Sequence, residues 1–380
     1  MKIIYISAST IPSERANSIQ VMKVCQAFAR QGHEVTLLSP IGQKAAPGWD
    51  DLVAHYGLTT PFELQFLPLQ SAWKRGDFAW KAVRKARSLG AELIYARALP
   101  PAVLGLLAGI PVVLEMHQLP GGSFGPVWYR QFLQLPGRKR LVTITRSLKL
   151  ALESKYRPVL PESQVVVAPS GVDLERFDDL PDTETARSRL KLPSGWTVVC
   201  SGHMYAGRGM QLFAELAGRM PDVNFLWAGG TTQDVETWRI HIGAGGLKNV
   251  TLTGFIPNSV LPLYQAAADA LLIPYSSSFT NSGGENISAV SSPMKIFEYM
   301  AVGRVIVGSD LPVLREVLNE SNSILCPPDD AGAWEQTLRA LQADAGSGQL
   351  LADQARLDVE KYSWEARCRM ILAGFLEGTQ

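Results

Sequence analysis

Residues 291–310 read Ser-Ser-Pro-Met-Lys-Ile-Phe-Glu-Tyr-Met-Ala-Val-Gly-Arg-Val-Ile-Val-Gly-Ser-Asp. Ser292 is a favoured N-cap type, Pro293 suits a first helical position, and Gly303 closes the helix about ten residues later. The run Val305-Ile306-Val307 then predicts a strand. A helix start presents backbone N–H groups that the helix itself does not use. Ser291, Ser292 and the nearby Lys295 therefore suit a phosphate. Glu298 shares a helix face with Lys295, where its carboxylate can accept hydrogen bonds from a ribose diol. Phosphate and ribose recognised together imply a nucleotide. The competing reading is an ordinary turn with solvated charges.

Other residues join this group through the strand ends that carry them. Ser201-Gly202-His203-Met204-Tyr205-Ala206-Gly207-Arg208-Gly209 follows a predicted strand and precedes a helix. Its glycines (Gly202, Gly207) allow backbone N–H groups to approach an anion, and Arg208 can pair with phosphate bidentately. The loop is neither a Walker loop nor a Gly-x-Gly-x-x-Gly fingerprint. His117 ends the strand 112–115 plus Met116, and an imidazole suits proton handling near neutrality. Arg97 ends the strand 93–96 and faces the same region by topology.

The string Ser-Pro-Met-Lys-Ile-Phe-Glu-Tyr-Met-Ala-Val-Gly resembles the donor-binding helix of glycosyltransferase family 4, and 146–177, 198–209, 225–230, 252–275 and 311–317 also resemble that family. The resemblance implies the GT-B fold: two doubly wound Rossmann-like α/β domains facing a central cleft, with a C-terminal helix crossing back to the N-terminal domain. It implies retaining transfer from a nucleotide-diphosphate sugar, UDP- or GDP-linked, to a glycan, lipid-linked or small-molecule acceptor, with no further cofactor. Arg208 and Lys295 then act on the diphosphate as it leaves. Gly202, His203, Gly207, Phe255, Ile256, Ser291, Ser292 and Glu298 line the donor, with Phe255 and Ile256 beside the base. His117 contacts the acceptor or a donor hydroxyl, and Ser9, Asn17, Gln20 and Arg97 lie on the acceptor side. The chain departs from the family in three places. Leu212 and Phe213 occupy the region of a usual lysine, Val290 stands where an acidic residue is common, and the Ser7-Ala8-Ser9-Thr10 loop lacks the usual glycines. Glu285 is the candidate to replace the missing acid.

The elements that must position these residues alternate. Candidate strands at 3–7, 34–39, 63–67, 93–96, 112–115, 141–145 and 165–168 are separated by amphipathic stretches such as 18–31. A second series runs 197–201, 224–228, 251–253, 270–274, 305–307 and 324–326. A chain of 380 residues exceeds one compact core. The charged, apolar-poor stretch 178–194 sets the expected boundary, giving domains 1–177 and 178–363 and a returning helix within 364–380.

A net charge of +1 gives no sign of a nucleic-acid partner. Cys25, Cys200, Cys326 and Cys368 show no metal spacing and read as reduced thiols, which fits a cytoplasmic protein. The apolar run 99–114 is broken by Pro100, Pro101, Gly109 and Pro111 and reads as a short helix and a strand. No secretory signal and no Asp-x-Asp motif stand out, so metal-independent chemistry is expected. Two basic-aromatic groups could hold the protein at the inner face of an anionic membrane. One is Trp73, Lys74, Arg75, Phe78, Trp80, Lys81, Arg84, Lys85 and Arg87; the other is Trp128, Tyr129, Arg130, Arg138, Lys139 and Arg140. A solvated basic face is the plainer reading. Of the competing functions, a dehydrogenase lacks its glycine fingerprint, and an epimerase lacks assignable acid/base residues. A catalytically silent GT-B scaffold, binding nucleotide or protein partners, is motivated by Val290 and the missing lysine.

Overall fold

Runs such as Ile3-Ile4-Tyr5-Ile6 and Leu271-Leu272-Ile273 are apolar at every position and wholly buried, as parallel strands covered on both faces require. In the computed structural model, which describes residues 1–41, 47–68, 74–281, 283–344 and 346–375, such runs form two sheets. The first contains β1 (Lys2–Ile6), β2 (Glu34–Pro40), β3 (Glu63–Leu67), β4 (Leu93–Ala96), β5 (Val112–Met116), β6 (Lys139–Thr143) and β7 (Val165–Val167). Its spatial order is β3-β2-β1-β4-β5-β6-β7, parallel throughout. The second contains β8 (Thr197–Ser201), β9 (Asn224–Ala228), β10 (Val250–Leu252), β11 (Ala270–Ile273), β12 (Val305–Ser309) and β13 (Ile324–Cys326). Its order is β10-β9-β8-β11-β12-β13, again parallel. Strand order reverses at β1/β4 and at β8/β11. Those switch points leave a crevice at the carboxyl ends, where open α/β sheets take ligands.

The chain divides into two units, 1–170 with 364–380, and 171–363. Residues 171–177, taken above with the first domain, fall in the second unit. Phe177 joins its core, and Val172 bridges to Ser363. The stretch 178–194 is no simple linker, because it contains a helix, Thr183–Leu190. Asp182 caps that helix by accepting from Thr185 N at 2.8 Å, and Ala186 packs on Ala266 and Ala267. The helix Trp364–Leu372 belongs to the first unit and packs on the helix Ala16–Arg30.

All four cysteines are buried and unpaired. No described helix is long and apolar enough to cross a membrane. Of the second basic-aromatic group, Tyr129, Lys139 and Arg140 are buried, Trp128 and Arg138 are partly exposed, and Arg130 is exposed. Lys139 donates to the carbonyls of Phe132, Leu133 and Leu135 at one helix end, and Arg140 to those of Ile371 and Ala373 at another. These cations satisfy helix-end carbonyls that the helices leave open. In the first group, Trp73 and the side chains of Lys74 and Arg75 lie outside the described residues. Trp80 and Arg84 form an exposed pair there, with the guanidinium 5.4 Å from the ring centre.

Candidate functional site

The candidate donor site of the second unit lies where β8, β9 and β11 end. The helix Met294–Val302 starts there, with Pro293 as its N-cap residue and Gly303 closing it in the left-handed conformation at φ 70°. Pro293 thus takes the cap position assigned above to Ser292. Proline offers no side-chain acceptor, so the first N–H groups of this helix gain no cap from it.

Lys295 and Arg208 meet on one aromatic ring. The Lys295 ammonium is 5.2 Å from the centre of Tyr275 and 5.8 Å from that of Trp227. The Arg208 guanidinium is 4.8 Å from Tyr275 and 4.6 Å from Phe279, while its Nε donates to Thr280 O at 3.2 Å. Lys295 also reaches Cys200 Sγ at 3.7 Å, and burial pushes that thiol above its ordinary pKa. Two cations are brought to one ring, and among the described residues neither pairs with a carboxylate, an arrangement an anion would stabilise. Tyr275 carried no chemical signal in the sequence; only the fold makes it a platform.

The glycine loop is also shaped by close approach of the backbone. A Cβ on Gly209 (φ 95°) would lie 2.0 Å from Pro274 O, and one on Gly207 (φ 73°) 2.1 Å from Ser278 O. These two glycines are needed so that the loop can pass close to the chain leaving β11. Gly202 differs, since the Lys295 side chain lies 3.4 Å from where its Cβ would be. His203 is partly exposed and stacks on Tyr205, centroids 4.8 Å apart.

Glu298 is already oriented. Its Oε2 accepts from Gln265 Nε2 at 2.9 Å and its Oε1 from Asn258 Nδ2 at 3.4 Å. Asn258 is in turn held by Arg176, and Gln265 is fully buried. Each carboxylate oxygen keeps a further acceptor site. Asn258 and Gln265 escaped the sequence reading because lone amide side chains carry no motif, and Arg176 because only the fold brings it to Asn258. Phe255 and Ile256 are partly exposed beyond β10, next to Gly254, which bridges back to Gly229. Ser291 is buried and Ser292 half-buried at the helix entry. Val290 is buried too, so no acid occupies that position. Glu285 sits on an exposed loop, where its carboxylate accepts from Asn281 Nδ2 at 2.9 Å.

In the first unit the candidate residues gather around a carboxylate that the sequence reading passed over. Glu115, wholly buried in β5, accepts from Gln20 Nε2 at 2.8 Å, from His117 Nε2 at 2.6 Å and from Tyr95 Oη, and pairs with Arg367 at 3.0 Å. Burial alone would raise this carboxyl, but Arg367, His117 and Arg97 outweigh it and hold it well below the usual range. Burial first, then the charge of Arg97, pushes His117 down to about 4, although Glu115 pulls the other way. Gln20 is thus buried and turned to Glu115 instead of an open acceptor surface. Arg97 donates to the carbonyl of exposed Asn17 at 2.8 Å. Ser9 is buried, and its hydroxyl accepts from Ser7 at 2.9 Å, a local loop contact. Among the described residues no group of three or more His, Cys, Asp or Glu could hold a metal ion.

Comparison with known proteins agrees on the family. The family described as Glycosyltransferase Family 4 matches residues 18–176, and the one described as Glycosyl transferases group 1 matches 195–344. The chain is 25% identical over 204 residues to the processive diacylglycerol alpha-glucosyltransferase of Acholeplasma laidlawii, covering 53% of this chain and 57% of that one. It is 24% identical over 367 residues to the phosphatidyl-myo-inositol mannosyltransferase of Mycolicibacterium smegmatis, covering 93% and 87%. The chain spans about half the length of the first relatives it matches. The crystal structure of Anabaena Alr3699/HepE in complex with UDP and glucose superposes with a TM-score of 0.76 at 16% identity, covering 100% of both chains. That likeness shows the fold, two Rossmann-like parallel-sheet domains of GT-B type. By the two family matches, which between them run from residue 18 to residue 344, the chain belongs to the family 4 glycosyltransferases.

Proposed function

We propose that the protein is a retaining glycosyltransferase that moves a sugar from a nucleotide diphosphate to an acceptor hydroxyl. The observation that carries this reading is the meeting of Arg208 and Lys295 on Tyr275 at the start of the helix Met294–Val302, with Glu298 held ready on the same helix. As the glycosidic bond breaks, negative charge builds on the departing diphosphate. Two fixed cations and a helix start stabilise that charge in place, which is the kind of interaction that lowers a barrier. Glu298 takes the ribose hydroxyls, while Phe255 and Ile256 flank the base. Gly202, His203, Gly207, Ser291 and Ser292 complete the donor site. In the first unit His117 meets a sugar or acceptor hydroxyl, with Arg97 and Asn17 at its edge. The donor is UDP- or GDP-linked; a UDP-bound structural neighbour favours the first.

The acceptor we propose is lipid-linked. Two relatives are named for glycolipid substrates, and the exposed Trp80/Arg84 pair offers an aromatic and a cation to an anionic interface. A silent scaffold is the second reading, favoured by buried Val290 and by the engagement of Glu285 within its own loop. One panel tests the proposal. Thermal shifts with UDP, GDP, ADP and TDP identify the base, since stabilisation grows as RT ln(1 + [L]/Kd). Turnover of the matching nucleotide sugar is then followed with and without EDTA. Transfer unaffected by EDTA is the expected result. Binding without any transfer or hydrolysis would establish the scaffold instead.

A further inference from the structure

Arg367 enters the first unit from the far end of the chain. It lies on the helix Trp364–Leu372, is buried, and places its guanidinium on Glu115 at 3.0 Å. It also donates to Pro169 O at 2.7 Å and to Ala168 O at 3.2 Å. Glu115 in turn accepts from His117 Nε2 at 2.6 Å. No other hydrogen bond reaches His117 among the described residues, so its Nδ1 is unengaged. We propose that Arg367 is a positioning residue for His117: by holding Glu115 as a carboxylate it fixes a neutral imidazole with its proton on Nε2, leaving Nδ1 to accept a hydrogen bond from a substrate hydroxyl. The proposal rests on the reading of His117 as a residue that meets substrate.

The chemistry follows from the donor count. An ionised carboxylate only accepts, so the imidazole nitrogen facing it must carry hydrogen. A second proton would make His117 the counter-ion of Glu115, but Arg367 already fills that place. The groups that face the imidazole are Glu115, Arg97 and Arg367, with Tyr95 and Tyr5 behind the carboxylate. Burial and the two arginines all disfavour imidazolium, which agrees with a midpoint near 4. Removing Arg367 leaves Glu115 buried without its strongest partner, and imidazolium becomes the nearest replacement. The hydrogen bonds to Pro169 and Ala168 give Arg367 a structural role as well, so the test needs a readout that docking alone would not move.

That readout is the titration of His117 in histidine-labelled protein, with its resonance among the five histidines assigned by its loss in His117→Gln. The unmodified protein should show a neutral Nε2–H imidazole at pH 7. Arg367→Met should move the His117 midpoint up by roughly one unit or more, and the acidic limb of the transfer rate should move with it. Arg367→Lys keeps the charge and should restore both. Arg367→Gln takes the place of the methionine variant if that one does not fold. An unchanged midpoint and tautomer in a folded Arg367 variant would overturn the positioning role and leave the reading of His117 standing. Full transfer activity in His117→Ala would overturn that reading, and the proposal with it, whatever the titration shows.

Discussion

At the residue scale, Arg208 and Lys295 share Tyr275 but differ in how they are held. Arg208 lies over Tyr275 and Phe279 and donates to Thr280 O, whereas Lys295 lies over Tyr275 and Trp227 and makes only a weak polar contact, with the Cys200 thiol, among the described residues. Either one changed to alanine should weaken nucleoside-diphosphate binding by about 1–3 kcal/mol, the scale of a charge-assisted hydrogen bond. The parent nucleoside should bind nearly as before. Calorimetry with both ligands checks the assignment, and equal losses for the two would contradict it. Glu298 supplies a second prediction. Glu298→Gln keeps the shape but turns one acceptor into a donor, and that donor would face the amides of Asn258 or Gln265. The variant should therefore lose its preference for a ribose diphosphate over the 2′,3′-dideoxy analogue. An unchanged preference would remove Glu298 from the ribose.

At the element scale, the loop between β8 and the helix Met210–Arg219 depends on glycine for backbone clearance. Gly209→Ala forces a Cβ toward Pro274 O and onto a φ of 95°, so the loop or the exit of β11 must move. It should destabilise the protein by at least about 1–3 kcal/mol and weaken nucleotide-diphosphate binding, since Tyr275 directly follows Pro274. Urea unfolding and calorimetry on the same sample measure the two effects; a variant as stable as the parent would mean the loop adapts freely. The strands themselves were legible from sequence, because a buried parallel strand needs an unbroken apolar run and little else supplies one. The helix Thr183–Leu190 was not, because it buries Ala186 and otherwise presents charge, so its pattern looks like a linker. Lys139 and Arg140 misled for the opposite reason. A basic pair beside aromatics reads as surface, yet each cation is spent on helix-end carbonyls that only the folded chain brings near. The Lys295/Glu298 spacing was readable because it lies within one helix. Glu115 with Arg367 was not, since nothing local links β5 to a helix near the end of the chain.

At the scale of the whole molecule, the first unit is discontinuous: it begins the chain and is completed by residues that follow the second unit. Its most buried ion pair joins those two stretches, so charge balance there should govern how the unit answers to acid. The Glu115 carboxyl is held below its ordinary value when folded, so its contribution is present above the unfolded value of 4.5 and lost as pH falls further. His117 acts earlier. Its folded pKa near 4 lies below the unfolded 6.5, so between those values the unfolded chain binds the extra proton and stability falls as pH falls. His33, lowered mainly by its own burial, adds in the same direction. Urea unfolding read by pulse proteolysis at pH 7.5 and pH 5.0 should show fragments of the first unit released at lower urea in acid. His117→Gln has no imidazole to charge, so it should lose a large part of that pH dependence while keeping the share from His33. The same acid shift in the variant as in the parent would mean that His117 takes up its proton in the folded protein as readily as in the unfolded chain, and that burial, Arg97 and Arg367 do not keep it neutral.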